Sequence, residues 1–132
     1  MPALIRKFYE ARLNNAPTVE CWGTGSPLRE FLHVDDMADA CVFLLENYDG
    51  EQHVNIGTGK EITIKHLSET IKDVTGYQGE IVWNTAMPDG TPRKLTNVSK
   101  LHDLGWTHEI EFEEGVKLAY DWFADNYDLS KK

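Results

Sequence analysis

Three glycine- and proline-rich interruptions constrain this chain most: Gly23-Thr-Gly-Ser-Pro27, Gly57-Thr-Gly59 and Pro88-Asp-Gly-Thr-Pro92. Each cuts off an apolar or alternating run after about five residues, so no strand can grow long. The runs are Thr18–Trp22, Arg29–Val34, Gln52–Ile56 and Ile81–Trp83, with an extended piece at Lys94–Asn97. Short strands of this kind cannot make a βαβαβ series long enough for a doubly wound sheet. The sequence therefore predicts a small mixed α/β domain of short strands and helices.

The helices carry clearer signals. Pro2 suits a first helical turn, and Leu4, Ile5, Phe8 and Leu13 share one face of a helix over about 2–15. Asp35 or Asp36 is expected to cap a helix reaching Asn47, with Met37, Ala40, Cys41, Leu44 and Leu45 inward. Thr63 is the expected cap of a third helix that carries Ile64, Leu67, Ile71 and Val74 on one face and stops at Gly76. A small helix over Ser99–Leu104 ends at Gly105, and the last, about 111–127, is expected to bury Phe112, Val116, Leu118, Tyr120, Trp122 and Phe123 to varying degrees. Beginning directly in a helix, the chain is expected to be part of something longer, with one face normally covered by a partner half.

Composition then removes function classes. The 132 residues suffice for one domain, 41% are hydrophobic and 27% charged, and the formal net charge is −9. A chain so acidic has no broad electrostatic grip on nucleic acid, so any anion must be held by a few placed cations. No apolar run approaches the roughly 20 residues of a membrane span, and the charged, amphipathic opening is unlike a signal peptide. Cys21 and Cys41 have neither CxxC nor His-spaced companions, which points to reduced thiols in a cytoplasmic protein. His33, His53, His66, His102 and His108 show no i, i+4 pair, so no metal site is expected.

Within Pro88-Asp-Gly-Thr-Pro-Arg-Lys94, two prolines and a glycine restrict a loop that presents two cations in succession. On an extended segment Arg93 and Lys94 point to opposite faces, so only one can enter a given pocket. Trp22, at a strand end beside glycines, offers a face for a base or sugar to stack on, or else belongs to the core. Arg29 can grip phosphate bidentately, or can form a surface ion pair with Glu30 or Asp35. Lys7 is a further cation, otherwise a solvated helix residue. Neither Gly-Thr-Gly is a GxGxxG opening a helix, so each reads as a plain turn. His66, Ser68 and Glu69 share one helix without a nucleophile elbow and make no triad.

Taken in order, WGTGSPLREFLHVDDMADA, HVNIGTGKEITIKHLSETI and PDGTPRKL…NVSKLHDLGW resemble the C-terminal half of the extended short-chain dehydrogenase/reductase family. Arg-x-Phe-x-His-Val-Asp-Asp names only the superfamily, whereas PDGTPRK with the following Leu-x-x-Leu-Gly-Trp resembles the GDP-L-fucose synthase branch. The resemblance implies NADPH-dependent conversion of GDP-4-keto-6-deoxymannose to GDP-L-fucose, by epimerisation at two carbons and then reduction. It also implies a Rossmann half that binds NADP and carries a Ser-Tyr-Lys set, and a homodimeric full-length enzyme. On this chain it implies a GDP-sugar site at Trp22, Arg29 and Lys94, with Cys21 on the wall beside Trp22 and Lys7 near the nucleotide end. The alternatives are the equivalent domain of a UDP- or dTDP-sugar epimerase or dehydratase, and a nucleotide-sugar-binding protein without catalysis.

The Rossmann glycine unit and a placed Tyr-x-x-x-Lys are missing from these residues; Tyr127 and Lys131 match that spacing only at the chain's end. The resemblance puts the epimerising histidine and cysteine upstream of Met1. No catalytic, cofactor-binding or metal-binding residue is therefore assigned, and the chain is expected to bind substrate but to be inactive alone.

Overall fold

In the computed structural model of the chain, residues 1–127 are described. Helix α1 (Pro2–Leu13) places Pro2 in its first turn, where the absent N–H removes no bond, and buries Ile5, Phe8 and Ala11. Strand β1 (Thr18–Trp22) alternates strictly, turning Val19 and Cys21 inward and Thr18, Glu20 and Trp22 outward. After the first Gly-Thr-Gly turn come β2 (Leu28–Arg29) and α2 (Val34–Asn47). Strand β3 (Ile62–Thr63) runs directly into α3 (Ile64–Thr75), and β4 (Glu80–Asn84) follows. The chain closes with β5 (Arg93–Lys94), the single-turn α4 (Ser99–Asp103) and α5 (Phe112–Asn126).

Two small sheets result. β1 and β4 pair in parallel, with Val19 opposite Ile81, Cys21 opposite Trp83 and Trp22 opposite Asn84. The other sheet has the order β3-β2-β5, antiparallel in its first pair and parallel in its second. Helices α1 and α3 pack on the inner face of the β1–β4 pair and α5 packs on those two helices, enclosing Phe8, Leu67, Ile71 and Val116. A separate, smaller cluster joins Ala40 of α2 to Leu101 of α4 and Trp106, with Phe43, Leu44 and Val54 against it. The mixed α/β architecture of short strands follows the sequence expectation.

The helix boundaries also follow it closely. Thr63 Oγ1 accepts the amide of His66 at 3.0 Å, and Gly76 closes α3 in the left-handed region at φ 67°. Burying Leu67 and Ile71 completely is worth about 1.5–3 kcal/mol each and anchors the larger core.

Four expectations need correction. β2 ends at Arg29 rather than Val34, because the Glu30 carboxylate takes the amides of Gly59 and Thr96 where a longer ladder would otherwise run. Residues 52–56 form no ladder among the described residues; Asn55 instead donates its side-chain amide to the Asn97 carbonyl at 3.1 Å. The cap of α2 is His33, whose Nδ1 accepts the Asp35 amide at 3.3 Å. Asp36 is buried and accepts the amides of Glu109 and Ile110, at 3.1 and 3.0 Å.

That tie sets which face of α2 turns inward. Asp36, Ala40, Phe43 and Leu44 face the protein, aided by the Trp106 indole donating to Asp39 at 2.7 Å. Met37, Cys41 and Leu45, expected inside, are exposed, Leu45 at 85%. Helix α2 has two apolar faces, and its hydrogen bonds decide between them. On α5, Leu118 and Trp122 are likewise exposed while Val116 and Tyr120 are buried. Of the Tyr127–Lys131 pair, Lys131 lies outside the described residues.

Candidate functional site

The parallel register of β2 and β5 sets Leu28 opposite Arg93 and Arg29 opposite Lys94. In-register residues share a face, so Arg29 and Lys94 stand side by side while Arg93 projects from the other side. Arg93 is used there: its Nε lies 2.8 Å from both carboxylate oxygens of Glu61, and its Nη2 lies 2.7 Å from one of them. The two adjacent cations thus divide, one into a structural fork and one onto the Arg29 face. Among the described residues neither Arg29 nor Lys94 lies within 4.0 Å of a carboxylate oxygen. In a chain of net charge −9, an adjacent cation pair without a counter-ion is open to an outside anion.

The expected acidic partners of Arg29 are engaged elsewhere. Glu30 accepts from Gly59 N at 2.6 Å and Thr96 N at 3.0 Å; burial pushes its carboxyl up, but these N–H bonds outweigh it and hold the group below the usual range. Asp35 approaches His33 at 3.7 Å. Arg29 Nη1 instead donates to the carbonyl of Leu28 at 2.6 Å, which fixes the guanidinium along its own strand.

The loop before β5 lies over this guanidinium. A Cβ on Gly90 would stand 3.0 Å from Arg29 Nη2, which places the loop against the guanidinium. Upstream, Gly23 turns the chain out of β1 at φ 78°, and the Asp89 carboxylate packs so closely that a side chain there would collide with it. Asp89 accepts the Thr24 hydroxyl at 2.7 Å and the Thr24 amide at 2.9 Å, which hold its carboxyl below the ordinary range.

The remaining candidates fall on three different surfaces. Trp22 is 62% exposed on the outer face of the β1–β4 pair, at the edge of the Gly23–Pro27 turn, and is not a core tryptophan. Cys21 points the opposite way into the core, 4% exposed, with its thiol 3.9 Å from Ser68 Oγ and pushed up by burial. Consecutive strand residues cannot share a wall, so Cys21 backs the site without lining the surface that presents Trp22. Lys7 donates its ammonium to the carbonyl of Glu20 in β1. The arrangement brings Arg29 and Lys94 together and links Trp22 to them through the Thr24–Asp89 contact.

Sequence reasoning missed Thr24, Glu30 and Asp89 as the groups that hold the loop before β5. Asp89 read only as a turn residue and Glu30 only as a neighbour for Arg29, since the contacts of both are long-range. Neither Gly-Thr-Gly turn opens a helix: the first leads into β2 and the second towards β3. Neither turn is therefore the glycine-rich head of a helix that cradles a dinucleotide pyrophosphate. Among the described residues no group of three or more His, Cys, Asp or Glu side chains could hold a metal, and no helix is long and apolar enough to cross a membrane.

The profile of the NAD dependent epimerase/dehydratase family matches residues 1–57. In sequence the chain is similar to proteins named GDP-L-fucose synthase, and in fold to a solved GDP-L-fucose synthetase. It is 56% identical over 126 residues to GDP-L-fucose synthase 1 of Arabidopsis thaliana, covering 96% of this chain and 39% of that protein. It is 48% identical over 137 residues to the GDP-L-fucose synthase of Escherichia coli K12, covering 97% and 43%. A crystal structure of a GDP-L-fucose synthetase from Naegleria fowleri bound to NADP superposes with a TM-score of 0.91 at 30% identity, over 99% of this chain and 41% of that one. The chain thus spans about two fifths of the length of these relatives.

Proposed function

We propose that this chain is the nucleotide-sugar-binding portion of a GDP-L-fucose synthase-type enzyme. In such an enzyme NADPH reduces a GDP-4-keto-6-deoxy sugar after its epimerisation. The observation that carries the reading is the Arg29–Lys94 pair, in register on one face and without a carboxylate counter-ion among the described residues. A diphosphate presents several anionic oxygens within one guanidinium-plus-ammonium span, and Arg supplies the bidentate fork that Lys cannot. Trp22 supplies an exposed aromatic face for the base or sugar, and Lys7 adds positive charge near β1. Cys21 contributes from behind, as packing under the strand that carries Trp22.

The hydride donor and the acid/base groups belong to the larger remainder of such a protein, so this chain alone binds without turning over. Reduced Cys21 and Cys41 fit a cytoplasmic setting, and pairing of two complete enzymes into a homodimer would involve that larger remainder. High identity to proteins named GDP-L-fucose synthase favours guanine over uridine or thymidine nucleotides.

Titration with GDP-fucose, GDP, UDP and dTDP, followed by tryptophan fluorescence, tests this. Saturable binding that prefers the guanine ligands and is lost in Arg29→Ala and Lys94→Ala is expected. Preference for UDP or dTDP would move the chain to another nucleotide-sugar branch. Binding that ignores both substitutions would remove the site from this sheet.

A further inference from the structure

We infer that residues 89–96 act as a strap whose two ends are each pinned through a carboxylate, and that Asp89 and Glu30 are the positioning residues of the Arg29–Lys94 pair; the inference deepens the proposed function and rests on it. From Pro88 to Leu95 every residue is exposed, so no core side chain fixes where this segment lies. Besides the Arg93–Glu61 fork, hydrogen bonds hold it at three places. At its start Asp89 takes both donors of Thr24. In its middle the Leu28 amide donates to the Pro92 carbonyl at 2.9 Å. At its end the Thr96 amide donates to Glu30, whose other oxygen holds Gly59.

Asp89 and Glu30 are thus spent on amide and hydroxyl donors. This does two things at once. It fixes the strand that carries Lys94 beside Arg29, and it keeps those carboxylates from neutralising the pair. Gly90 lies against the guanidinium, while Pro88 and Pro92 reduce the conformations that the free segment would otherwise sample. A pair held in register before the ligand arrives loses less entropy on binding than two free side chains. Asp89 never needs to touch the ligand; it acts through Lys94.

A double-mutant cycle on the whole chain, titrated with GDP, separates this from a general structural role. Asp89→Ala and Lys94→Ala should each weaken GDP by about tenfold, the worth of one charge-assisted contact. If Asp89 acts through Lys94, the double variant is no weaker than either single one. Additive losses, about a hundredfold, would overturn the inference. Thr24→Ser should keep wild-type affinity and Thr24→Val, which loses the hydroxyl but keeps the amide donor, should show part of the Asp89→Ala loss, so the conclusion does not depend on one variant folding. Glu30→Gln reports the other anchor and should also be non-additive with Lys94→Ala.

A second readout needs no ligand. In Asp89→Ala the Leu28 amide should exchange with solvent about tenfold faster, while the Ile64 amide, bonded to the Pro27 carbonyl at 3.0 Å, keeps its rate. Unchanged Leu28 exchange overturns the strap whatever GDP does. Failure of the wild-type chain to take up GDP, with Leu28 exchange responding as expected, would instead sink the functional reading alone.

Discussion

At the scale of single residues, the chain uses its acids as much as its bases. Glu61 neutralises Arg93, Glu30 holds two backbone amides and Asp89 holds Thr24, which leaves Arg29 and Lys94 available. The Asp89 contact has a pH signature. Its folded carboxyl titrates below the unfolded value, so its contribution is full above the ordinary carboxylate range and is lost as pH falls through the folded value. The difference in urea midpoint between the wild type and Asp89→Asn should therefore be largest near neutrality and shrink on acidification. A difference that stays constant with pH would mean that the charge of Asp89 contributes nothing.

At the scale of elements, α3 is where local signal and tertiary demand agree. A Thr cap, a left-handed Gly terminator and an apolar stripe all indicate the same span, Ile64–Thr75. Thr63→Ala should cost about 1 kcal/mol in urea unfolding, and Thr63→Ser almost nothing. No loss in the alanine variant would mean that another donor or water replaces the cap. Helix α2 is the opposite case. Its sequence carries apolar residues around much of its circumference, so periodicity alone pointed to Met37, Cys41 and Leu45 as core. Asp36, bonded to two amides before α5, and Asp39, bonded to the Trp106 indole, turn the other face inward. A polar side chain decided the orientation of an apolar helix. The short strands divide similarly: β1 and β4 were legible from alternation and bounding turns, whereas residues 52–56 alternate like a strand yet lie beside no ladder partner among the described residues.

At the scale of the whole molecule, two hydrophobic clusters of unequal size share one chain. The larger joins α1, α3, α5 and the β1–β4 pair; the smaller rests on Ala40, Leu101 and Trp106. Fewer buried apolar contacts mean a lower free energy of local opening. Native-state hydrogen exchange should show α3 amides opening only with global unfolding, while α2 amides open at lower free energy. Equal protection of both helices would indicate one cooperative unit.

The sequence by itself determined the helices, the breaks between short strands and, through ordered motifs spanning nearly the whole chain, the resemblance to a family. These are local or near-local properties: a cap, a turn or a stripe is written within a dozen residues. It also named Arg29 and Lys94, and the alternation argument separated Arg93 from Lys94. Tertiary structure alone decided that Arg29 and Lys94 stand in register, that Cys21 faces the core while Trp22 faces outward, and that Asp89 meets Thr24 across 65 positions. Such pairings join segments distant in the chain, and no local propensity encodes the partner; only packing the elements together selects it.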